Sequence, residues 1–587
     1  MEQSKPIFLI QKYRSILGAA IVVEAVTYIV SLTDTLIAGN MVNNEAMAAV
    51  GLVAPLISAE SFVTSVINTG TLLRYSQSVG NFEKERANGF FSQGVMLSLA
   101  AGALIALCMF LARESFIGWL GISPGMAQGV RNYYNVILFW IFLGPVTCLL
   151  DNCVVADGGE KLSAIVNVIL IVVNVVLSID FSLRWGVGGI ALASGLSQLL
   201  ALLLTAVWFF RPQHTLRLVW HWDFADCREI LQSGVVKASV YALSSLAVIL
   251  LNAFAVARFG EESMVALTVA EKLLAASVLF LALTMTVQPI VSTLLGEKNF
   301  KAIRLLMNVT LKDMLVMGVG VSALTVAFAP YLARAFGVQA GEAGYAQCVE
   351  AIRLVGATLF GQALLSLFFG YYILIGKGGL AFFICVCKEL ACPLALVFLA
   401  VSLTGSQSGL WLGLSLSSLV SLLLCALLVL GRYGKGDAPF LLPRDTEKDT
   451  YIYDYAATGE NAVAMSKEAG RVLEVNGYSE DLQALAGMIL EDATMLINEK
   501  NQDKGGPILM ECTMILEPEQ IRLILRDSGQ FFDLASEDDE LASARQVFFM
   551  ICYVTHIRQS NQLATTGYNR HLLQISSNPL SKKNGNI

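Results

Sequence analysis

The stretches "SVGNFEKERANGFF" (Ser78–Phe91) and "LLGEKNFKAIRLLM" (Leu294–Met307) decide how this 587-residue chain is organised. Each follows a long apolar run, each sets a glycine beside Asn, Phe, Glu and Lys, and each gives way to apolar sequence again. Their glycines, Gly80 and Gly296, stand 216 residues apart (296 − 80). "MAAVGLVAPL" from Met47 and "MVALTVAEKL" from Met264 stand 217 apart (264 − 47). A looser third match joins "GVGGIALASGLSQ" from Gly186 to "SGLWLGLSLSSL" from Ser408. One unit has been duplicated in the same order, and the repeated turn is polar between apolar runs.

Composition says what those runs are. The chain is 56% hydrophobic and only 14% charged, with mean hydropathy +0.64. A soluble domain has roughly a quarter of its residues charged, so an ordinary water-soluble enzyme is excluded, and so is a disordered chain. The charge is also uneven. Phe440–Ile587 holds 13 Lys/Arg and 22 Asp/Glu, which leaves 26 (39 − 13) and 24 (46 − 22) in the rest. A membrane part therefore precedes an acidic soluble part.

A spanning helix needs about 20 mostly apolar residues. Twelve such stretches fall near 16–39, 47–69, 91–112, 132–155, 162–182, 188–210, 235–258, 263–290, 314–333, 354–375, 379–403 and 408–431. With the N-terminus cytoplasmic, the inner segments carry 17 Lys/Arg, among them Arg74, Lys84, Lys161, Lys298 and Lys301, and the outer ones carry six. This positive-inside bias puts both termini in the cytoplasm. The expected fold is an all-α polytopic membrane protein of twelve transmembrane helices in two six-helix lobes, followed by a soluble α+β domain. The expected boundaries are 1–210 for the first lobe, 211–232 for a cytoplasmic connector, 233–435 for the second lobe, 436–450 for a linker and 451–587 for the soluble domain. Two halves repeated in one orientation predict a substrate cavity between them near the bilayer midplane.

Ionisable groups in spans are costly, about 2.5–3.5 kcal/mol at the centre on insertion scales, so each is a functional candidate. Asp34 lies in the outer half of the first span, and Glu24 lies ten residues earlier, about 15 Å along a helix axis. Glu60 lies in the second span, Lys237 opens the seventh, and the tenth offers Gln362. Glu271–Lys272 in the eighth span and Lys388–Glu389 in the eleventh are sequence neighbours, which diverge by about 100° on an α-helix, so a bond within either pair is not expected. Asn174 and Ser178, four residues apart, share a helix face, and Asn167 lies on the same face as Asn174.

Four stretches carry a resemblance: "SLTDTLIAGNMVNNEAMAAVGLVAP" (Ser31–Pro55), "VADGGEKLSAIVNVILIVVNVVLSID" (Val155–Asp180), "GVGGIALASGLSQ" (Gly186–Gln198) and "VQPIVSTLLGEKN" (Val287–Asn299). They resemble the multidrug and toxic compound extrusion (MATE) transporters, in order over residues 10–435. The resemblance implies antiport driven by Na+ or H+ and export of small organic, cationic compounds across a bacterial plasma membrane. It places the coupling cation at Asp34, Asn174, Ser178 and Ser194. Ser178 stands where the family often has Asp, which leaves the site one carboxylate short. Hard cations accept such oxygen donors. Glu24, Glu60, Lys237 and Gln362 are the transport-cavity candidates. Two alternatives stay open: a flippase of the same superfamily for lipid or peptide precursors, and a membrane sensor whose tail binds a cytoplasmic regulatory protein.

The tail reads as helix (Ser479–Asn501), strands "PILMECTMIL" and "QIRLILRDSG", an apolar helix-like stretch (Leu541–Arg558) and the run "YNRHLLQIS". "RDSGQFFD" (Arg526–Asp533) resembles the D-x-G box of anti-sigma-factor kinases, of the GHKL ATPase type. The resemblance implies nucleotide contacts at Asp527, Gly529 and Glu491. Met495 stands where that family has a magnesium-holding Asn, and no glycine-rich lid follows, because there is no glycine between Gly529 and Gly567. Cradling phosphate needs backbone amides freed by glycine. The expectation is a degenerate, non-catalytic domain. No Walker A, HExxH or G-x-S-x-G motif is present, so an ATP-powered pump is not expected. Nothing suggests nucleic-acid binding. The eleven cysteines lie mostly in apolar runs and make no disulfide framework.

Overall fold

A computed structural model of the chain describes residues 7–42, 44–119, 124–211, 215–220, 222–259, 266–267, 269–270, 273–274, 280–335, 340–341, 344–443, 449–503, 508–517, 520–530, 558–563 and 569–576. The side chains of 25–36 are outside that description. The first half holds α1 (Ile7–Ile37), α2 (Asn44–Gly80), α3 (Lys84–Trp119), α4 (Pro124–Trp140), α5 (Gly144–Ala156), α6 (Glu160–Trp185) and α7 (Val187–Ala206). The second holds α8 (Phe224–Phe259), α9 (Leu281–Gly296), α10 (Phe300–Ala327), α11 (Ala329–Ala335), α12 (Tyr345–Ala357), α13 (Leu359–Leu374), α14 (Gly378–Val386), α15 (Cys392–Thr404) and α16 (Ser408–Asp437).

Among the described residues, seven helices are long and apolar enough to cross a bilayer, and nine if two bent pairs each count as one span. The bent pairs are α4–α5, at 46°, and α12–α13, at 45°, one in each half. The expected eighth span, near 263–290, lies largely outside the described residues. Leu111, Phe139, Leu183, Val316 and Leu403 are between 69% and 78% exposed, which suits a surface solvated by lipid.

The duplication is visible bond by bond. α2 ends with Asn81 N–H donating to Gln77 O, Phe82 N–H to Val79 O and Glu83 N–H to Ser78 O. α9 ends with Glu297 to Thr293, Lys298 to Leu295 and Asn299 to Leu294, every partner shifted by 216 (297 − 81). This is the Schellman stop, in which a left-handed residue turns the chain so that the last carbonyls are satisfied. Glycine usually sits there. Here Phe82 (φ 63) and Lys298 (φ 61) do. A similar turn closes α5 at Gly158 (φ 92) and α13 at Gly376 (φ 73). Gly80 and Gly296 let the two turns meet: a Cβ on Gly296 would lie 2.7 Å from the Cα of Gly80.

The tail is a five-stranded antiparallel sheet in the order β1-β2-β3-β5-β4, from β1 (Thr450–Ala456), β2 (Leu509–Leu516), β3 (Gln520–Asp527), β4 (Arg558–Leu563) and β5 (Asn569–Ser576). Two helices, α17 (Gly459–Val475) and α18 (Glu480–Lys500), cover one face, where Met510, Cys512, Met514, Leu523, Leu525 and Leu573 are buried. Strand residues alternate in direction, so Glu511, Arg522, Arg526 and Arg570 point the other way, and they too are buried. That second face lies on the membrane part, with Ile515, Ile524 and Leu572 against Phe82. The expected helix-like stretch at 541–558 falls almost wholly outside the described residues, and Arg558 itself opens β4.

Candidate functional site

A cavity of about 510 Å³ lies among α1, α2, α5, α6 and α7 of the first half and α8 and α9 of the second. α1 brings Glu24 and α2 brings Glu60, Thr64 and Asn68. Asp151 and Asn152 come from α5, Asn167 from α6, Gln198 from α7, and Lys237 and Tyr241 from α8. Glu60 accepts from Thr64 Oγ1 at 2.6 Å, one helical turn on. A Cβ on Gly144 would sit 2.8 Å from Glu60 Oε1, so the glycine at the start of α5 leaves that carboxylate its room. Asn167 Nδ2 donates to Asp151 Oδ2 at 3.2 Å, and Lys237 Nζ lies 3.4 Å from Met285 Sδ. Among the described residues no three His, Cys, Asp or Glu side chains converge closely enough to hold one metal ion. The carboxylates are spread around the wall.

Of the residues singled out from the sequence, Glu24, Glu60 and Lys237 come together in this cavity. Gln362 does not: its Nε2 donates to Ser418 Oγ at 2.8 Å, between α13 and α16. Asn174 and Ser194 meet between α6 and α7, with Asn174 Nδ2 donating to Ser194 Oγ at 3.0 Å. Asn174 Oδ1 and Ser178 Oγ are buried and without a hydrogen-bond partner. Two such oxygens side by side fit a hard cation. Asp34 lies on α1, and its side chain is outside the described residues. Asp151 was missed. An aspartate inside "CLLDNCVVA" is as costly in a bilayer as Glu24 or Glu60, and that was the available signal.

One expectation is corrected. Lys388 Nζ and Glu389 Oε1 are 2.6 Å apart, although they are sequence neighbours. The chain is a π-helix over Cys387–Ala391, wider per turn than an α-helix, so adjacent side chains diverge less and two long ones can meet. The companion pair, Glu271 and Lys272, lies outside the described residues.

In the tail, Asp527 is fully buried. It accepts from Gly529 N–H at 2.8 Å and Asn569 Nδ2 at 2.7 Å, and lies 3.3 Å from His571 Nε2. A Cβ on Gly529 would run into Asn501, whose Oδ1 accepts from Gln530 N–H at 2.6 Å. Glu491 sits partly exposed on α18.

The MatE family model matches twice, at residues 19–179 and 238–397. The chain belongs to the MatE family. The two matched segments correspond to the two halves described above, and together they cover more than half the chain. MATE proteins are membrane transporters, and the solved structures that this one resembles agree in fold. A MATE protein in the bent conformation has TM-score 0.66 at 20% identity, covering 73% of this chain and 98% of that one. An outward-facing multidrug resistance MATE family transporter of the MOP superfamily has TM-score 0.67 at 20% identity, covering 74% and 98%. A MOP superfamily transporter from Pyrococcus furiosus, whose binding pocket is described as of reverse polarity, gives the same figures. Comparison with curated protein sequences finds no match.

Proposed function

We propose that this MATE transporter is an antiporter that exports small organic cations against an inward gradient of Na+ or H+. The reading rests on one observation: the described cavity wall carries three carboxylates, Glu24, Glu60 and Asp151, against one ammonium, Lys237. In a low-dielectric wall, excess negative charge favours a cationic guest. Asp34, with Asn174, Ser178 and Ser194, is the coupling site in this reading, and the unpartnered oxygens of Asn174 and Ser178 support it. Glu24 and Glu60 hold the solute in the cavity, and Lys237 balances part of their charge when it is empty. The topology is twelve spans in a bacterial plasma membrane with both termini inside, supported by the distribution of Lys and Arg over the loops. The tail is regulatory, not catalytic. The packing of Asp527 against Asn569 and His571 supports this, because it spends the carboxylate that a nucleotide would need.

Efflux of a cationic dye from proteoliposomes, under separately imposed Na+ and proton gradients, tests the reading. One gradient drives efflux, and Asp34→Asn abolishes the drive. Glu24→Gln slows efflux by about tenfold, the equivalent of the ~1.5 kcal/mol that a contact to a charged group contributes. Dye movement indifferent to both gradients would sink the proposal. Lys237 favours a second reading, transport of amphipathic anions, and movement of a labelled anionic lipid in place of the dye would support it.

A further inference from the structure

The burial of the charged side chains on the tail's second face is explained by what they touch. Arg570, on β5, is 1% exposed. Its Nη1 donates to Val79 O at 3.0 Å and its Nη2 to Gly80 O at 3.3 Å, both at the end of α2 in the first half. Its guanidinium also stacks 4.2 Å from the centre of the Phe82 ring. The same Nη2 lies 2.6 Å from Glu297 Oε1, at the end of α9 in the second half. Arg526 pairs with the other oxygen of Glu297 and with Glu511, and Arg522 donates to Glu297 O at 3.2 Å. Thus one buried side chain grips both repeated turns at the point where Gly80 meets Gly296.

We propose that the C-terminal sheet is a clasp that joins the two halves across these turns and holds the gate on this face shut. The cavity between the halves opens toward the tail only when the clasp lets go. The geometry forces the choice. Any motion that separates Gly80 from Gly296 takes Arg570 away from Val79 and Gly80, or from Glu297. Either way a buried charge loses a partner, and breaking a buried pair from one side is costly. The linker moves with the second half, since Tyr371 and Tyr372 hydroxyls donate to Phe440 O and Pro439 O, each at 2.8 Å, and Lys301 Nζ donates to Thr450 O at 2.9 Å. The releasable side is therefore the contact with the first half, made by Arg570 and Phe82 and, at the start of α1, by Phe8 N–H donating to Asp454 Oδ2 at 3.4 Å. Phe82 supports this: it takes a left-handed backbone that favours glycine, and in that conformation its ring reaches the sheet.

Spin labels at Glu85→Cys on α3 and Asn308→Cys on α10, both exposed and outside the clasp, read the gate in the full chain in bilayer nanodiscs. The parent gives one short distance. Arg570→Ala and, separately, Phe82→Ala raise the share of a longer distance by about tenfold or more, the scale on which a lost differential contact moves a two-state equilibrium. Glu297→Gln, nearly isosteric, does the same because it removes the carboxylate that stands between Arg570 and Arg526. Unchanged distances in all three variants would overturn the clasp. The distances do not depend on what is carried, so a failed dye assay leaves this result standing.

Discussion

Gly144 makes a sharp test of the cavity because it supplies only room. Glu60 Oε1 occupies the space that a methyl group there would fill, at 2.8 Å. Gly144→Ala must push the carboxylate off its bond to Thr64, and the residue sits at the first turn of α5, where helix propensity asks for no glycine. We expect the protein to insert normally and dye efflux to fall by about threefold to tenfold, as one contact to a charged group is weakened. Efflux equal to the parent's would mean that Glu60 takes no part in transport. At this scale the sequence was informative where cost was high. Glu24, Glu60 and Lys237 stand out because a charge in an apolar run needs a reason. Asp151 is equally visible by that cost, in an apolar run that ends at the Gly158–Gly159 turn. Gln362 was legible as polar, but its partner Ser418 is 56 residues away and no local pattern points to it.

The elements carry the duplication, and their turns are its most legible part. A helix stop with a left-handed residue needs a short polar sequence with little freedom, so two copies stay alike while the apolar spans drift. The bent pairs α4–α5 and α12–α13 were not legible, because an apolar run reads as one span whether or not it bends. Phe82 and Lys298 occupy equivalent left-handed positions, which cost a non-glycine residue about 1–2 kcal/mol. They differ in what offsets that cost. Lys298 makes only a half-exposed pair with Glu517 at 3.5 Å, whereas Phe82 packs on the sheet. Lys298→Gly should therefore raise the thermal midpoint of the detergent-solubilised protein, by about 0.5–1 kcal/mol of stability. Phe82→Gly should lower it or leave it unchanged. A fall on Lys298→Gly would show that its pair with Glu517 outweighs the backbone cost.

The whole molecule is held in two ways: by apolar packing within each part, and by buried charge beside a small apolar patch between the tail and the membrane part. The first was legible and the second was not, since Gly80, which accepts from Arg570, lies 490 residues from it, and Glu297, which accepts from Arg522, lies 225 residues from it. What the strands did show was charge alternating with apolar residues in "QIRLILRD". On a surface sheet that reads as a wet face, and only the docked structure shows it dry. The docking should depend on pH. Glu517 bridges Lys298 of the second half and Arg522 of the tail. Burial alone would raise its pKa, but the Gln520 amide, the Lys298 ammonium and the Arg522 guanidinium outweigh burial and hold it below its ordinary 4.5. A carboxyl whose pKa is depressed in the docked form stabilises docking above its free value. That contribution is lost as the pH falls through the depressed value. Burial draws Arg570 down to about 10, so at neutral pH it keeps its charge and does not titrate in this window. Docking should accordingly be flat from pH 7 to about 5 and weaken below about 4.5. Proteolysis of the 436–449 linker, followed against pH with an acid-tolerant protease, measures this. Glu517→Gln should remove the acid-dependent step that Glu517 supplies, while a step of unchanged size in that variant would assign the titration to another carboxyl in the interface.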